Sequence, residues 1–326
     1  MTNSLCLPFA FLLAIDGNGG TIAVSACILA NETVESFDWV MARFREICQG
    51  PICQGKKNPK VFYTDRCAAI HRSLLENFGA SHHLLCRWHL AKNILKNLSS
   101  VLKSSVSTFV SEFYHLAEGS KDPDTFLEQW RCMLTRYELH GFVMDLFDCR
   151  DRWAKCFHND ALDFGLTTTS RSESMNAWVK RLVNTQTRLS TLFKVSTVDL
   201  AEAQMTETIL AEIKSIRNIK KVTLSQSMSP LLKGAVRVLL EYPLSIFLNQ
   251  LHLSNDYRGA IVDPLTMSGT IVHRTTQSGH VVIFDPPSCA CGFFGSMGLP
   301  CRHYLCLAAG LFQDSLPLTA FHRRWT

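Results

Sequence analysis

The sharpest chemistry in these 326 residues lies in PPSCACGFFGSMGLPCRHYLCLAAGL. Cys289-x-Cys291 is followed by nine residues and then by Cys301-x-His303. On an extended segment residues i and i+2 point to the same side, so Cys289 and Cys291 can grip one ion. Pro300 and Cys301 open a helix whose apolar continuation is Tyr304, Leu305, Leu307 and Ala308. Three thiolates and one imidazole make a closed tetrahedral set, which suits a structural Zn²⁺. A catalytic zinc needs a position open to water, and this set leaves none. Cys306 is a spare thiol, expected to pack rather than ligate.

A second constellation occupies residues 60–93, PKVFYTDRCAAIHRSLLENFGASHHLLCRWHLAKN. Lys60–Thr64 reads as a short strand that ends on a carboxylate, Asp65. Cys67–Phe78 repeats Ala68, Ile70, Leu74, Leu75 and Phe78 at helical spacing. Gly79 follows, where a helix end takes a residue tolerant of positive φ. His82–Leu85 reads as a strand and Trp88–Leu98 as a helix. This is a parallel α/β unit with Asp65 at the carboxyl end of its strand, the edge of an open sheet where ligands gather. Capping the next helix is the alternative role for that Asp. Cys86-x2-His89 stands at the end of the second strand. Its spacing suits a metal, but four ligands would also need Cys67 or His82 and His83. The simpler expectation is packing that fixes the helix start.

A third stretch is LTTTSRSESMNAWVKRLVNTQTRLSTL, residues 166–192. Thr169 or Ser170 can cap a helix that holds Glu173 in its first turn, as in a capping box. Met175, Trp178, Val179 and Leu182 would form its buried face. Lys180, Arg181 and Arg188 are on or after it. Between Arg171 and Arg237 there are eleven Lys or Arg against five Asp or Glu. Such a cluster is a candidate phosphate-contacting face, and an ordinary solvated helix surface accounts for it equally.

The elements that position these residues follow from periodicity. Phe9–Ile15 and Thr21–Leu29 are expected to pair as antiparallel strands about the turn Asp16-Gly17-Asn18-Gly19-Gly20. Leu5–Ile15 has the length of a signal-peptide core but lacks a basic flank, because the first Lys or Arg is Arg43. Thr33 caps a core helix over Glu32–Cys48, with Phe37, Val40, Met41 and Phe44 on one face. A loop over Gln49–Lys57 leads to the strand before Asp65. The order β-β-α-β-α-β-α predicts one mixed sheet with helices packed on it. Ser99 to about Cys156 is helical with a small core of its own, built from Phe109, Phe113 and Leu116, then Phe126, Trp130, Leu134 and Tyr137, then Phe142, Met144 and Phe147. Asp148, Asp151, Asp160 and Asp163 are expected on helix surface and loop rather than around a metal. Residues 196–260 read as connecting helices, with Ile209, Ile213 and Ile216 at helical spacing and a break over Lys221–Pro230. Ile261-Val262, Thr270–Arg274 and His280–Phe284 then form a small antiparallel unit with turns at Gly269 and Gly279.

Composition sets the limits. With 47% hydrophobic and 19% charged residues the chain can bury a sizeable core. A net charge of +5 permits an anionic partner without requiring one. Thirteen scattered cysteines, an odd count, argue against a secreted disulfide framework. Neither N-terminal apolar run is long enough for a membrane-spanning helix. The expected location is the nucleus, or the cytoplasm, with no membrane partner.

Residues 2–193 resemble the transposase domain of Mutator-like elements, in the branch that includes the plant far-red-impaired-response proteins. The matching features are Thr2-Asn3; Ile15-Asp16 with the Gly turn; Glu32-Thr33, Ser36-Phe37 and Trp39; Thr64-Asp65; Cys86-x-Trp88-His89 with Asn93; and Thr168-Thr169 to Ser172-Glu173-Ser174-x-Asn176. The resemblance implies a ribonuclease-H-like fold with a helical insertion. It also implies a three-carboxylate site holding two divalent metals for DNA strand transfer, with Asp65 second and Glu173 third. Two metals about 4 Å apart would clamp the attacking and leaving oxygens of an in-line displacement. The first carboxylate of the family lies in an Asp-x-Thr upstream of the segment matching Thr2-Asn3. In the sequence as given that strand is absent, and Asp16 lies at a turn, so a truncated product without strand-transfer activity is expected, and Mg²⁺ only if the upstream carboxylate exists. The C-terminal motif is similar to the SWIM zinc finger, which follows the transposase domain in the same family.

The expected fold is therefore α/β: an incomplete ribonuclease-H-like mixed sheet, its first strand missing, with a helical insertion and a small C-terminal zinc-finger β/α module. The divisions are 1–98 for the N-terminal part of the core, 99–165 for the insertion, 166–200 for the core helix with the third carboxylate, 201–259 for connecting helices and 260–326 for the SWIM region. The leading function is a transposase-derived zinc protein that binds DNA. The alternatives are a SWIM adaptor that contacts a protein partner, with the transposase-like part as scaffold, and a fragment of an active transposase with a mis-called start.

Overall fold

A computed structural model describes residues 3–50, 58–120, 122–139, 141–223, 230–263, 267–311 and 316–325, with side chains left aside over much of 211–230 and at 260–262. The chain divides into two compact units: Met1–Phe11 with Ser25–Phe193, and Leu12–Val24 with Lys194–Thr326. It is an α/β protein of helices and small sheets.

β1 (Phe9–Ile15) and β2 (Thr21–Ile28) form the expected hairpin. Asp16 shapes its turn, because its Oδ1 accepts from the N–H groups of Asn18 (2.9 Å) and Gly20 (2.6 Å). Gly19 takes φ +75°, a region that favours glycine. Asp16 is thus a turn residue, its carboxylate engaged by the backbone.

In the first unit α1 (Val34–Gln49) starts at Thr33, whose side chain accepts from the Ser36 N–H. It buries Phe37, Val40, Met41 and Phe44, the face its spacing predicts. β3 (Val61–Thr64), α2 (Ala68–Phe78), β4 (His82–Leu85) and α3 (Arg87–Leu102) follow. β3 and β4 are parallel, from Val61 opposite His82 to Thr64 opposite Leu85. Phe44, Phe62 and Phe78 pack ring on ring with centroids 4.9–6.5 Å apart, joining α1 to β3 and α2. Gly79 departs from expectation, because its φ is −58°. Its reason is close approach: a Cβ there would stand 2.8 Å from the Leu75 carbonyl oxygen.

The single mixed sheet is not formed among the described residues. β1–β2 and β3–β4 are separate two-stranded ladders. Element order predicts which strands exist but not whether two pairs come within the roughly 4.8 Å that a ladder requires. Here no β1–β3 or β1–β4 ladder bridges them.

The insertion holds α4 (Val106–Gly119), α5 (Pro123–Tyr137) and α6 (Phe142–Asp148). Its core includes Phe109, Phe113, Leu116, Phe126, Trp130 and Trp153. In α6 the buried residues are Val143 and Leu146, while Met144 is 44% exposed, so the expected face is rotated. α7 (Ser170–Leu182) and α8 (Leu189–Lys194) complete this unit. Of the four apolar residues expected inside α7 only Val179 is buried, and Leu182 is 51% exposed.

In the second unit a π-turn over Val195–Asp199 leads into α9 (Leu200–Thr223), then α10 (Pro230–Val238) and α11 (Glu241–Leu253). The core of the expected break, residues 224–229, lies outside the described residues, as do residues 51–57 of the first loop, Thr2, and the side chain of Ile216. Ile209 and Ile213 are exposed on α9 rather than buried. β5 (Tyr257–Asp263), β6 (Ser268–His273), β7 (Gly279–Phe284) and β8 (Pro287–Cys289) make an antiparallel sheet in that order. α12 (Phe293–Met297) and α13 (Arg302–Leu311) follow. Ile271, Val282 and Phe284 from the sheet and Tyr304, Leu305 and Ala308 from α13 are all buried. The Trp325 indole N–H closes the unit on the Met297 carbonyl at 2.7 Å.

Candidate metal centre and carboxylate edge

Cys289 ends β8, Cys291 follows it, and Cys301 and His303 flank the start of α13. One ligand atom from each lies within 4.8 Å of all the others, and among the described residues no other group of three or more His, Cys, Asp or Glu does this. The Cys289 Sγ to His303 Nδ1 distance is 3.5 Å. Bonds of about 2.3 Å from sulfur and about 2.0 Å from nitrogen at a tetrahedral angle place those two atoms about 3.5 Å apart. The donor set therefore fits Zn²⁺ in type, number and spacing. Without an ion three thiols this close cannot all ionise. Cys289 is pushed up to about 12 by its neighbour Cys291, while hydrogen bonds from Cys289 and Cys301 hold Cys291 well below the ordinary thiol range.

Two residues support this set that spacing alone did not single out. The His280 ring stacks on His303 at 3.9 Å, and Tyr257 meets it edge-on at 4.6 Å. His303 Nε2 is buried without a hydrogen-bond partner, so Nδ1 is the nitrogen turned to the thiols. The signal for His280 was its alternation with the buried Val282 and Phe284 on β7, which puts all three on one face.

In the first unit Asp65 directly follows β3 and is exposed. Cys86 directly follows β4, and its N–H donates to the Thr64 carbonyl at 2.8 Å. The residues around Cys86 then join this edge to the start of α7. Cys86 Sγ accepts from the Thr169 N–H at 3.2 Å, and the Arg87 N–H donates to the Thr167 carbonyl at 3.1 Å. His89 Nδ1 is 3.1 Å from Thr169 Oγ1, and its Nε2 is 3.4 Å from Glu173 Oε1. Asp65 and Glu173 are thus both carried to the carboxyl edge of β3–β4. Thr169 makes no side-chain cap on α7, because its hydroxyl is engaged by His89. The capping box expected there is not formed. Cys86 and His89 face the start of α7 rather than a third and fourth metal ligand.

Arg87, between them, points the other way. Its side chain is 2% exposed; Nε donates to the Trp153 carbonyl (3.0 Å) and an NH group to Glu118 (2.7 Å). Asp163, expected in a loop, is buried beside Tyr63, where desolvation raises its pKa, and its Oδ1 accepts from the Gly165 N–H. His158 is also buried, and desolvation lowers it to about 4.

Lys180 and Arg181 are exposed in the last turn of α7, and Arg188 is exposed beyond it. Among the described residues none of the three takes part in an ion pair of the kind seen for Arg87 or Arg136.

The scaffold from the hairpin to the first turns of α3, with Asp65, Cys86 and His89 on it, has a counterpart among known families. Residues 1–93 match the MULE transposase domain. Glu173 and the Cys/His cluster lie beyond that match. Relatives extend further. Protein FAR1-RELATED SEQUENCE 5 of Arabidopsis thaliana is 24% identical over 334 residues, covering 100% of this chain and 41% of that protein. Protein FAR1-RELATED SEQUENCE 11 of Arabidopsis thaliana is 24% identical and covers 92% of this chain and 43% of its own length. Protein FAR-RED IMPAIRED RESPONSE 1 of Arabidopsis thaliana is 23% identical over 55% of this chain and 21% of its own. The resemblance to the MULE domain and its far-red-impaired-response branch therefore stands. The chain spans less than half the length of these relatives. Among the described residues no helix is long and apolar enough to cross a membrane.

Proposed function

We propose that this chain is a transposase-derived, zinc-stabilised segment that binds nucleic acid in the nucleus, built on a ribonuclease-H-like core with a SWIM-type finger. The observation that carries the reading is α7. It holds Glu173 at one end, against the MULE-matching edge of β3–β4, and exposed Lys180 and Arg181 at the other. A duplex lying along this helix would meet cations first and carboxylates next. Asp65 and Glu173 are oxygen donors of the kind that hold Mg²⁺, which takes one or two carboxylates and fills its shell with water. Such an ion would supply Lewis-acid polarisation of a phosphoryl oxygen. We assign binding, and not strand transfer, to the described residues, where no third carboxylate joins Asp65 and Glu173.

The test is the salt dependence of DNA binding. Affinity should fall steeply as salt rises, and Lys180→Ala with Arg181→Ala and Arg188→Ala should flatten the log–log slope by up to about 2.7, at about 0.9 per lost phosphate contact. An unchanged slope refutes the assignment of these three residues. Mg²⁺-dependent nicking that disappears in Asp65→Ala would overturn the restriction to binding. The adaptor reading is favoured by Val281 (54% exposed) and Ile283 (37%), which alternate with the buried residues of β7. Salt-insensitive capture of a protein, with no DNA binding, would select it.

A further inference from the structure

His71 on α2 and His83 on β4 meet with their Nδ1 atoms 2.8 Å apart, ring centroids 5.0 Å apart and planes at 33°. His83 is buried and His71 half-buried. Their tautomers follow from the hydrogen bonds. Thr64 Oγ1 donates its one hydrogen to the Asp65 carbonyl at 2.7 Å. The same oxygen is 2.7 Å from His83 Nε2 and has only lone pairs left for it, so Nε2 carries the proton and donates. His83 Nδ1 is therefore left with its lone pair, aimed at His71. The Nδ1–H of His71 completes the contact.

A metal-binding imidazole is commonly prepared in this way, with one nitrogen held as a donor to a hydroxyl or carbonyl and the other bare. We propose that His71 and His83 form a second, two-histidine site for a borderline divalent ion such as Zn²⁺, separate from the Cys/His cluster. Neutral His71 needs only to carry its proton on Nε2 instead of Nδ1, which frees a second lone pair with no net proton release. Two nitrogens at about 2.0 Å from one ion lie about 3.3 Å apart at a tetrahedral angle, so the pair opens by about 0.5 Å. His71, half-exposed at the end of a helical side chain, makes that movement while Thr64 holds His83. Water completes the shell. Arg152 acts electrostatically on both imidazoles, and Asp151 opposes it only at His71. The site therefore gains nothing from net charge and selects ions that bind imidazole well over the hard ions Mg²⁺ and Ca²⁺. It goes beyond the nucleic-acid reading and does not depend on it.

The experiment uses the whole chain with one equivalent of Zn²⁺ already bound, titrated with further Zn²⁺ in a calorimeter at pH 7.5. A second event of one ion per chain is expected. His71→Ala should abolish it or weaken it at least about tenfold while the melting curve and circular dichroism stay as in the parent. His82→Ala, at the exposed neighbouring position on β4, should leave it intact. Thr64→Val should weaken it by releasing the His83 tautomer. Mg²⁺ in place of Zn²⁺ should give no event. No second event in the parent, or a second event that His71→Ala leaves unchanged, overturns the proposal.

Discussion

Replacing Arg87 separates charge from packing in the element that holds the carboxylate edge. The side chain is 2% exposed and ties the start of α3 to the insertion through the Trp153 carbonyl and Glu118. Arg87→Met keeps most of the stem and removes the charge. Glu118 is 55% exposed and returns to water at little cost. The Trp153 carbonyl belongs to a residue 1% exposed and loses its donor. A stranded buried acceptor costs about 1–3 kcal/mol. Exchanging a buried ion pair for apolar volume is otherwise near neutral, so Arg87→Met should cost about 1–3 kcal/mol in total. Arg87→Ala has the same stranded carbonyl and also an unfilled stem, which adds about 2–5 kcal/mol in the manner of Met→Ala in a core. The expected order is therefore Ala well above Met. Urea unfolding followed by tryptophan fluorescence reads it, with slopes compared to check that the unfolded states match. Equal losses for Met and Ala would refute the reasoning, since they would show that the charge and not the packed stem holds α3. A Met variant as stable as the parent would show that the Trp153 carbonyl finds another donor.

Three further outcomes are expected. Cys301→Ser should lose the zinc measured by elemental analysis and lower the melting temperature of the C-terminal module, and a chelator should do the same to the parent, because a metal bound only in the folded state contributes its binding energy to folding. His158 should make folding sensitive to acid. Its folded pKa, about 4, is depressed below the ordinary value near 6.5, so unfolding takes up a proton between those pH values. No penalty exists above pH 6.5, and stability falls as pH drops below it by about 1.4 kcal/mol per unit, so His158→Gln should gain about 2 kcal/mol on the parent between pH 7 and pH 5 in unfolding titrations. Gly19→Ala should destabilise by about 1 kcal/mol or more, since φ is +75° and the added Cβ would stand 2.8 Å from the Tyr242 ring; a thermal melt equal to the parent would contradict it.

What the sequence reveals here depends on how far apart the interacting residues are along the chain. The Thr33 cap and the Phe37, Val40, Met41, Phe44 face lie within one helix, and periodicity found them. The Cys/His set spans residues 289 to 303, and thiol spacing on a short strand and a helix start is enough to bring its members together. Asp163 is buried rather than on a surface loop, and one of its partners, Tyr63, lies a hundred residues earlier, a pairing that nothing local marks. Cys86 and Thr169 are 83 positions apart, and Cys-x2-His leaves a metal pair open beside the expected packing role because the neighbour of that thiol, a backbone N–H, leaves no trace in residue type. Leu182 and Met144 fail for a related reason: an apolar repeat fixes a helix and its stripe, but the width and rotation of the covered stripe are set by whatever packs on it. Arg87 is the plainest case. By type it is a surface residue, and by position it lies between Cys86 and His89, whose side chains reach α7. Only the arrival of Trp153 and Glu118 from the insertion makes its burial affordable, and the same contact fixes the helix start from which His89 reaches Glu173. The insertion, which bears none of the candidate ligands, is in this way coupled to the carboxylate edge through one buried guanidinium.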